Sequence, residues 1–182
     1  MRRQWIVTLQ DLPEAGQKWS ADVPAALLDD AEHGAVDALT GLDADVHWQA
    51  GLVHCGDVYR LHGHWQMRMK RYCSRCTDEF VWHQDGTTER YFRLAGSVAV
   101  NHAPDDAAGN GGYDVMVSPG NLDLVDVLRE DIWLAWKPDV ICREDCRGLC
   151  PHCGCNLNRA TCTCAREGGD HPFAALRRLK FN

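Results

Sequence analysis

No stretch of this sequence approaches the roughly 18 consecutive apolar residues that a membrane-crossing helix needs. No secretory leader is expected either. Arg2 and Arg3 precede only a short apolar run, and charge returns at Asp11 and Glu14, so the apolar core of a signal peptide never develops. The expectation is a cytoplasmic protein whose thiols are kept reduced. Positive charge is also short: the formal net charge is −7, which excludes coating nucleic acid by bulk attraction. Any such contact must use a local basic face or pass through a protein partner. The signatures of several enzyme classes are lacking, with no Gly-x-Ser-x-Gly, no phosphate-binding glycine loop and no His-Glu-x-x-His. The acidic pairs Asp29-Asp30, Asp105-Asp106 and Glu130-Asp131 fall in loops or on a helix face. A two-metal nuclease needs carboxylates converging from several elements. No small-molecule substrate and no enzymatic activity are therefore expected, and there is no internal repeat.

What the chain does have is cysteine. Seven of its ten cysteines lie in the 23 residues from Cys142 to Cys164. Cys150 and Cys153 form a C-x2-C pair, Cys162 and Cys164 a C-x-C pair, and Cys142 and Cys146 a C-x3-C pair. A further C-x2-C, Cys73 and Cys76, lies far upstream. A C-x2-C turn aims two thiolates at one ion while nearby backbone N–H groups soften their charge, and two such pairs make a tetrahedral structural zinc site. Gly148 and Gly154 allow the tight backbone such turns require, and Asn156 and Asn158 can bond the backbone around them. A disulfide framework is disfavoured in a reduced compartment and in a chain long enough to bury a core. A thioredoxin-like redox centre is disfavoured because Cys73 and Cys76 follow a strand of a meander, not of a βαβ unit.

Eight cysteines divide into two sets of four, implying two structural zinc ions. The preferred division places Cys150, Cys153, Cys162 and Cys164 in one site. Cys73, Cys76, Cys142 and Cys146 then clip the sheet to the segment after the long helix. The rival division joins Cys142, Cys146, Cys150 and Cys153, and leaves Cys73/Cys76 to meet Cys162/Cys164. Cys55 reads as a buried small thiol and not a ligand, and Cys155 as a leftover or substitute ligand. Each four-thiolate zinc carries −2, so two of them take the formal charge from −7 to −11. The segment is too short and polar to bury a core, so metal binding is what folds it.

The fold expected is α+β: an antiparallel β-meander packed by one long helix, with a C-terminal Cys-rich zinc-binding segment and a short terminal helix. The corresponding units are 1–138 and 139–182. Trp5–Leu9 reads as a strand, and the Ala/Leu-rich "VPAALLDDAEHGAVDAL" as holding a short helix. Val46–His54 and Val58–Arg71 alternate with period two around Gly56-Asp57, a hairpin. "TDEFVWHQ" and "TERYFRL" flank Asp85-Gly86, read as a second hairpin turn. Residues 101–112 read as a loop and "GYDVMV" as an edge strand. Asp123 caps a helix with Leu124, Leu128, Ile132 and Ala135 on one face, stopped by Pro138. A last helix is expected from Asp170, with Pro172 in its first turn and Phe173, Leu176 and Leu179 as its stripe.

Three segments in order give a resemblance. They are "CSRCTDEF" at 73–80, "LDLVDVLREDIWLAWKPDVIC", and "CREDCRGLCPHCGCNLNRATCTC" followed by "DHPFAALRRLKF". Together they resemble the YceD family, the large ribosomal RNA subunit accumulation proteins, from about Leu52 to the end. Cys155 departs from the pattern, standing where a non-cysteine is expected, and His171-Pro172 stands where Pro-Arg is usual. The resemblance implies a bacterial or plastid factor needed for normal accumulation of large-subunit rRNA. It implies no catalytic residues. The partners expected are large-subunit rRNA or its precursor, a large-subunit ribosomal protein, or a maturation factor.

A contact surface can be read on the long strand. Tyr59, Leu61, Trp65, Met67 and Met69 alternate with Arg60, His62, His64, Gln66, Arg68 and Lys70. Arg60, Arg68 and Lys70, extended by Arg71 and Arg75, are the candidate RNA- or partner-binding residues. Arg177, Arg178 and Lys180 form a second basic patch, and His62 and His64 read as surface histidines. The competing class is a thiol-based redox sensor or zinc-dependent holdase.

Overall fold

The computed structural model describes residues 2–29, 39, 41–56, 58–94, 114–116 (backbone) and 120–164. The loop expected at 101–112 and the helix expected from Asp170 lie outside them. So does most of the Ala/Leu-rich stretch, of which Ala25–Leu28 forms a single helical turn, α1. Strand β1 (Ile6–Thr8) sits inside the expected Trp5–Leu9, between short 3-10 turns at Arg2–Trp5 and Leu9–Asp11. Strands β2 (Gln17–Val23), β3 (Val46–Cys55), β4 (Val58–Tyr72) and β5 (Glu79–Leu94) form an antiparallel meander. Strand β6 (Asp114–Met116) adds to its edge, parallel to β5. β7 (Asn121–Asp123) pairs antiparallel with β1 and runs straight into helix α2 (Leu124–Leu134).

Period-two alternation on β4 does what it should. Leu61, Trp65, Met67 and Met69 are fully or almost fully buried, while Arg60, His64, Gln66, Arg68 and Lys70 are exposed. Helix α2 closes over the buried side. The Asp123 carboxylate accepts the Val125 N–H at 3.0 Å, which satisfies one of the free donors of the first turn. Leu124, Leu128 and Ile132 recur at helical spacing and are fully buried, each stabilising by roughly 1.5–3 kcal/mol. A charged contact fixes the helix against the sheet: Arg90 of β5 donates to Asp131 from Nε (3.0 Å) and Nη2 (2.7 Å). Arg129 donates to the carbonyls of Leu27 and Leu28, both at 3.1 Å, tying α1 to α2.

Three features differ from the sequence reading. Cys55, read as a buried thiol, is exposed, because it stands at the last position of β3 where the strand runs out of the core into the turn. β2 was not expected, because Lys18, Ser20 and Asp22 hide its alternation with Trp19, Ala21 and Val23. Pairing along its whole length with β3 decides it. Asp85-Gly86 is not a turn. β5 is one 16-residue strand, and its ladder with β4 is unbroken from Tyr59↔Phe92 to Tyr72↔Glu79. The glycine answers a different need. Gly86 faces Trp65 across the ladder, and a Cβ there would lie 2.2 Å from Cζ2 of that indole. The turn joining β4 to β5 is the Cys73–Cys76 segment itself.

Candidate metal centres

That turn is built by its backbone. Cys73 N–H donates to the Asp78 carbonyl (2.9 Å) and Thr77 N–H to the Cys73 carbonyl (2.9 Å), with Thr77 at φ 60°. The Arg75 N–H points at the Cys73 sulfur from 3.4 Å. After α2, Pro138 turns the chain back toward this loop. Ser74 N–H donates to the Val140 carbonyl at 2.8 Å, and Val140 N–H to Ser74 Oγ at 3.1 Å. These two bonds lay Cys142 and Cys146 against Cys73 and Cys76. The Cys142 N–H then also donates to Cys73 Sγ, at 3.4 Å.

The four sulfurs lie within 4.8 Å of one another. Cys73–Cys146 and Cys76–Cys142 are each 3.7 Å apart. An ion held tetrahedrally by sulfur at about 2.3 Å requires sulfur–sulfur edges of about 3.8 Å. A disulfide requires ~2.05 Å. The donor set and its spacing therefore fit a four-thiolate metal centre. Cys73 and Cys76 are 1% exposed and Cys146 5%, while Cys142 is half-buried, so this first centre is largely shielded from solvent.

Cys150, Cys153, Cys162 and Cys164 form the second group, also within 4.8 Å. Its turn is a smaller copy of the first: Gly154 N–H donates to the Cys150 carbonyl (2.9 Å), and His152 N–H points at Cys150 Sγ (3.4 Å). Cys153–Cys162 is 3.5 Å and Cys150–Cys162 is 3.4 Å. The donor set again fits a four-sulfur cage, but Cys153 and Cys164 are exposed. The grouping is the sequence-local division, not the rival that joined Cys142/Cys146 with Cys150/Cys153. Among the described residues, these are the groups of three or more His, Cys, Asp or Glu that meet this spacing.

The two centres are wired together by residues outside both cysteine sets. Asn158 donates to Cys146 Sγ (3.4 Å) and accepts the Arg147 N–H (2.8 Å). Asn156 accepts the Asn158 N–H (2.9 Å) and donates to Asp78 (2.9 Å), beside the first turn. Arg75 donates to the Cys146 carbonyl (3.2 Å) and its own carbonyl accepts the Leu149 N–H (3.0 Å). Gly148, at φ 72°, makes room for this crossing, since a Cβ would stand 3.0 Å from the Arg75 carbonyl oxygen. Sequence reading flagged the asparagines as turn residues but not the bond from Asn158 to a sulfur, which no spacing rule encodes.

Electrostatics favour a cation in both cages. Burial pushes the Cys73 thiol up, but the N–H groups of Cys142, Cys76 and Arg75 outweigh it and hold it down at about 6. The Asp78 N–H favours the Cys76 thiolate, yet burial and the three neighbouring sulfurs drive that thiol up to about 12. In the second group the Cys155 N–H and adjoining sulfurs hold Cys153 down at about 6. Cys164, against Cys162 and Cys153, is raised to about 12. One thiolate forms readily in each cage and the last resists, because negative charge accumulates without a cation to offset it. In metal-free protein the exposed Cys153 is a thiolate above about pH 6. Iodoacetamide at pH 7 should therefore modify it before Cys164, with a rate that falls as pH drops through 6. Mass spectrometry of timed digests reads this directly.

The basic residues singled out by sequence separate into two sets. Arg60, Arg68 and Lys70 share the exposed face of β4, each beside a carboxylate. Arg60 Nε is 2.7 Å from Glu89, Arg68 Nη2 is 2.6 Å from Asp43, and Lys70 Nζ is 3.7 Å from the same Asp43. Arg71 is turned away from that face. Its guanidinium lies 3.7 Å over the Trp136 ring and donates to the carbonyls of Lys137 (2.9 Å) and Pro138 (3.3 Å). Arg71 and Arg75 thus hold the frame of the first centre. His64 Nε2 is 3.7 Å from Asp85, and the His62 ring covers Gly51.

The sequence profile of the large ribosomal RNA subunit accumulation protein YceD family matches residues 61–180, from near the start of β4 through both cysteine groups. The chain belongs to that family. It is also similar to large ribosomal RNA subunit accumulation protein YCED homolog 1, chloroplastic, of Arabidopsis thaliana, at 34% identity over 59 residues. That match covers 32% of this chain and 18% of the relative, so the chain spans less than a fifth of that longer protein. No solved structure matches. No helix of the described residues is long and apolar enough to cross a membrane. Both cages lie inside the family match.

Proposed function

We propose that this chain supports the accumulation of large-subunit rRNA as a non-enzymatic assembly factor, shaped by two zinc ions, that binds the rRNA precursor or a large-subunit assembly partner. The observation that carries the reading is the pair of four-sulfur cages within the span matched by the family. Zinc is the ion we assign, because four thiolates at tetrahedral spacing suit a borderline-soft ion without redox chemistry. Cys73, Cys76, Cys142 and Cys146 would hold one ion, and Cys150, Cys153, Cys162 and Cys164 the other. Their role is to give a short polar segment a fixed surface. The cytoplasm, or another reducing compartment, is the setting this requires.

For contact with RNA, the exposed face of β4 is the surface we assign. Its cations are paired, but exposed ion pairs hold by only about 0–1 kcal/mol. A phosphate can therefore displace Asp43 from Arg68 and Lys70. The test is capture of RNA and protein on the tagged chain at native salt, scored for large-subunit rRNA, with the Arg68→Glu/Lys70→Glu variant alongside. The variant should fold normally, capture less rRNA, and lower the slope of log affinity against log salt by about 1–2. Unchanged capture and slope would return these residues to the solvated surface. A reversible Cys73–Cys76 disulfide in purified protein would instead favour a redox sensor.

A further inference from the structure

The exposed face of the sheet is not flat beside the basic strand. Leu42 bridges Met69, and His47 pairs with Gln66. The segment 43–46 therefore stands against only Met67 and Arg68, and its extra length bulges out of the ladder. The bulge is tied at its root, where the Asp43 N–H donates to the Arg68 carbonyl at 2.9 Å. Bulges re-aim side chains and recur beside functional sites. Here the bulge borders a cleft of about 380 Å³, whose lining includes Asp45, His47, Gln66, Arg68, His83 and Asp85. That volume is at the lower end of the roughly 300–1,000 Å³ of small-ligand sites. Strand register sets the layout: His47, Gln66 and Asp85 form one row across β3, β4 and β5, and Arg68 lies opposite His83 in the next. His47 is committed, with Nδ1 2.8 Å from Asp22 and Nε2 3.3 Å from Gln49. Gln66 and His83 are exposed and, among the described residues, have no hydrogen bond or ion pair. The Asp85 carboxylate, 77% exposed, stands 3.7 Å from His64.

We propose that this cleft takes one unpaired guanine of single-stranded RNA, so that the phosphate-binding face of β4 also reads a base. This rests on the assignment of that face to RNA. Size and chemistry choose the occupant. The cleft has room for one base, and an unpaired base presents its Watson–Crick edge and stacks on a planar side chain. His83 is planar, exposed and uncommitted. Asp85 can only accept hydrogen bonds. Guanine carries two adjacent donors on that edge, N1–H and N2–H, which one carboxylate takes as a pair. Adenine and cytosine set an amino group beside an acceptor, and uracil sets one N–H between two carbonyls. A carboxylate opposite any of these three meets a lone pair as well as a donor. Gln66, opposite Asp85 in the ladder, offers an amide N–H to guanine O6. Arg68 and Lys70, on the same face of β4, take the flanking phosphate once it displaces Asp43.

The test titrates the full chain, purified under reducing conditions, into short fluorescent oligouridylates with a central G, A, C or U, read by anisotropy. Wild type should bind the G-containing strand about tenfold more tightly than the other three. The preference should vanish when a complementary strand pairs the guanine. Asp85→Asn should bring the G-containing strand to within about twofold of the others. His83→Ala should weaken its binding several-fold through lost stacking. Both side chains are exposed, so neither change disturbs the core. Three results would overturn the cleft while the phosphate-binding face stands: equal wild-type affinity for all four strands, a guanine preference that survives Asp85→Asn, or wild-type affinity in His83→Ala. If none of the four strands binds, the RNA reading fails with it.

Discussion

Cys76→Ser should remove one of the two zinc ions proposed for this chain and lower stability by about 3–5 kcal/mol, a large part of the roughly 5–15 kcal/mol that holds a domain together. The size follows from where the first centre stands. Its Cys73–Cys76 turn is the connection between the two longest strands, and its other half, Cys142 and Cys146, follows the helix that closes the core. An ion there would fasten together segments nearly 70 residues apart, given the separation of 66 between Cys76 and Cys142. Structural zinc contributes on the order of 10 kcal/mol to small modules, and three remaining thiolates retain only part of that. Serine is close in size to cysteine, so the loss is of ligation rather than packing. Metal content should fall from two ions to one, and the thermal midpoint should drop accordingly. Full retention of both ions would remove Cys76 from the ligand set. Cys153→Ser offers the contrast. It should lose the other ion and expose the segment around 150–164 to protease, while the sheet unfolds near the wild-type temperature.

Gly86→Ala should cost about 3 kcal/mol, unusual for the addition of one methyl group to a strand. The new Cβ would stand 2.2 Å from Cζ2 and 2.6 Å from Cε2 of Trp65. That indole is 1% exposed and has no room to retreat in a close-packed core, where overpacking typically costs 1–3 kcal/mol. The partner substitution checks the cause. In a Trp65→Leu background the same change should cost less than about 1 kcal/mol, since the ring that clashes is gone. Denaturant midpoints of the four proteins give the coupling directly. Equal penalties in both backgrounds would mean that Gly86 serves the backbone and not the ring.

Local chemistry was legible in the sequence because its signals repeat over a few residues. The alternation of β4 and the stripe Leu124, Leu128, Ile132 mark faces set by backbone geometry alone. Asp123 as a cap and the C-x2-C turns are likewise decided within four residues. β2 escaped because its outward Lys18, Ser20 and Asp22 resemble a loop until a neighbouring strand satisfies its backbone. Asp85-Gly86 misled for a related reason. Asp-Gly favours a turn when nothing else competes, whereas here an unbroken ladder to β4 overrides that weak preference, and Trp65 supplies a separate need for glycine.

The sequence by itself determined that this is an α+β chain with sulfur in pairs at metal-ligand spacing, because those properties are written in short-range periodicity and spacing. Only the tertiary structure decided which pairs meet. Ser74 and Val140 bring Cys142 and Cys146 to the β4–β5 turn, and Asn158 reaches a sulfur twelve positions away. Such meetings depend on how helix α2 directs the chain back across the sheet, a long-range outcome of core packing that no local pattern carries.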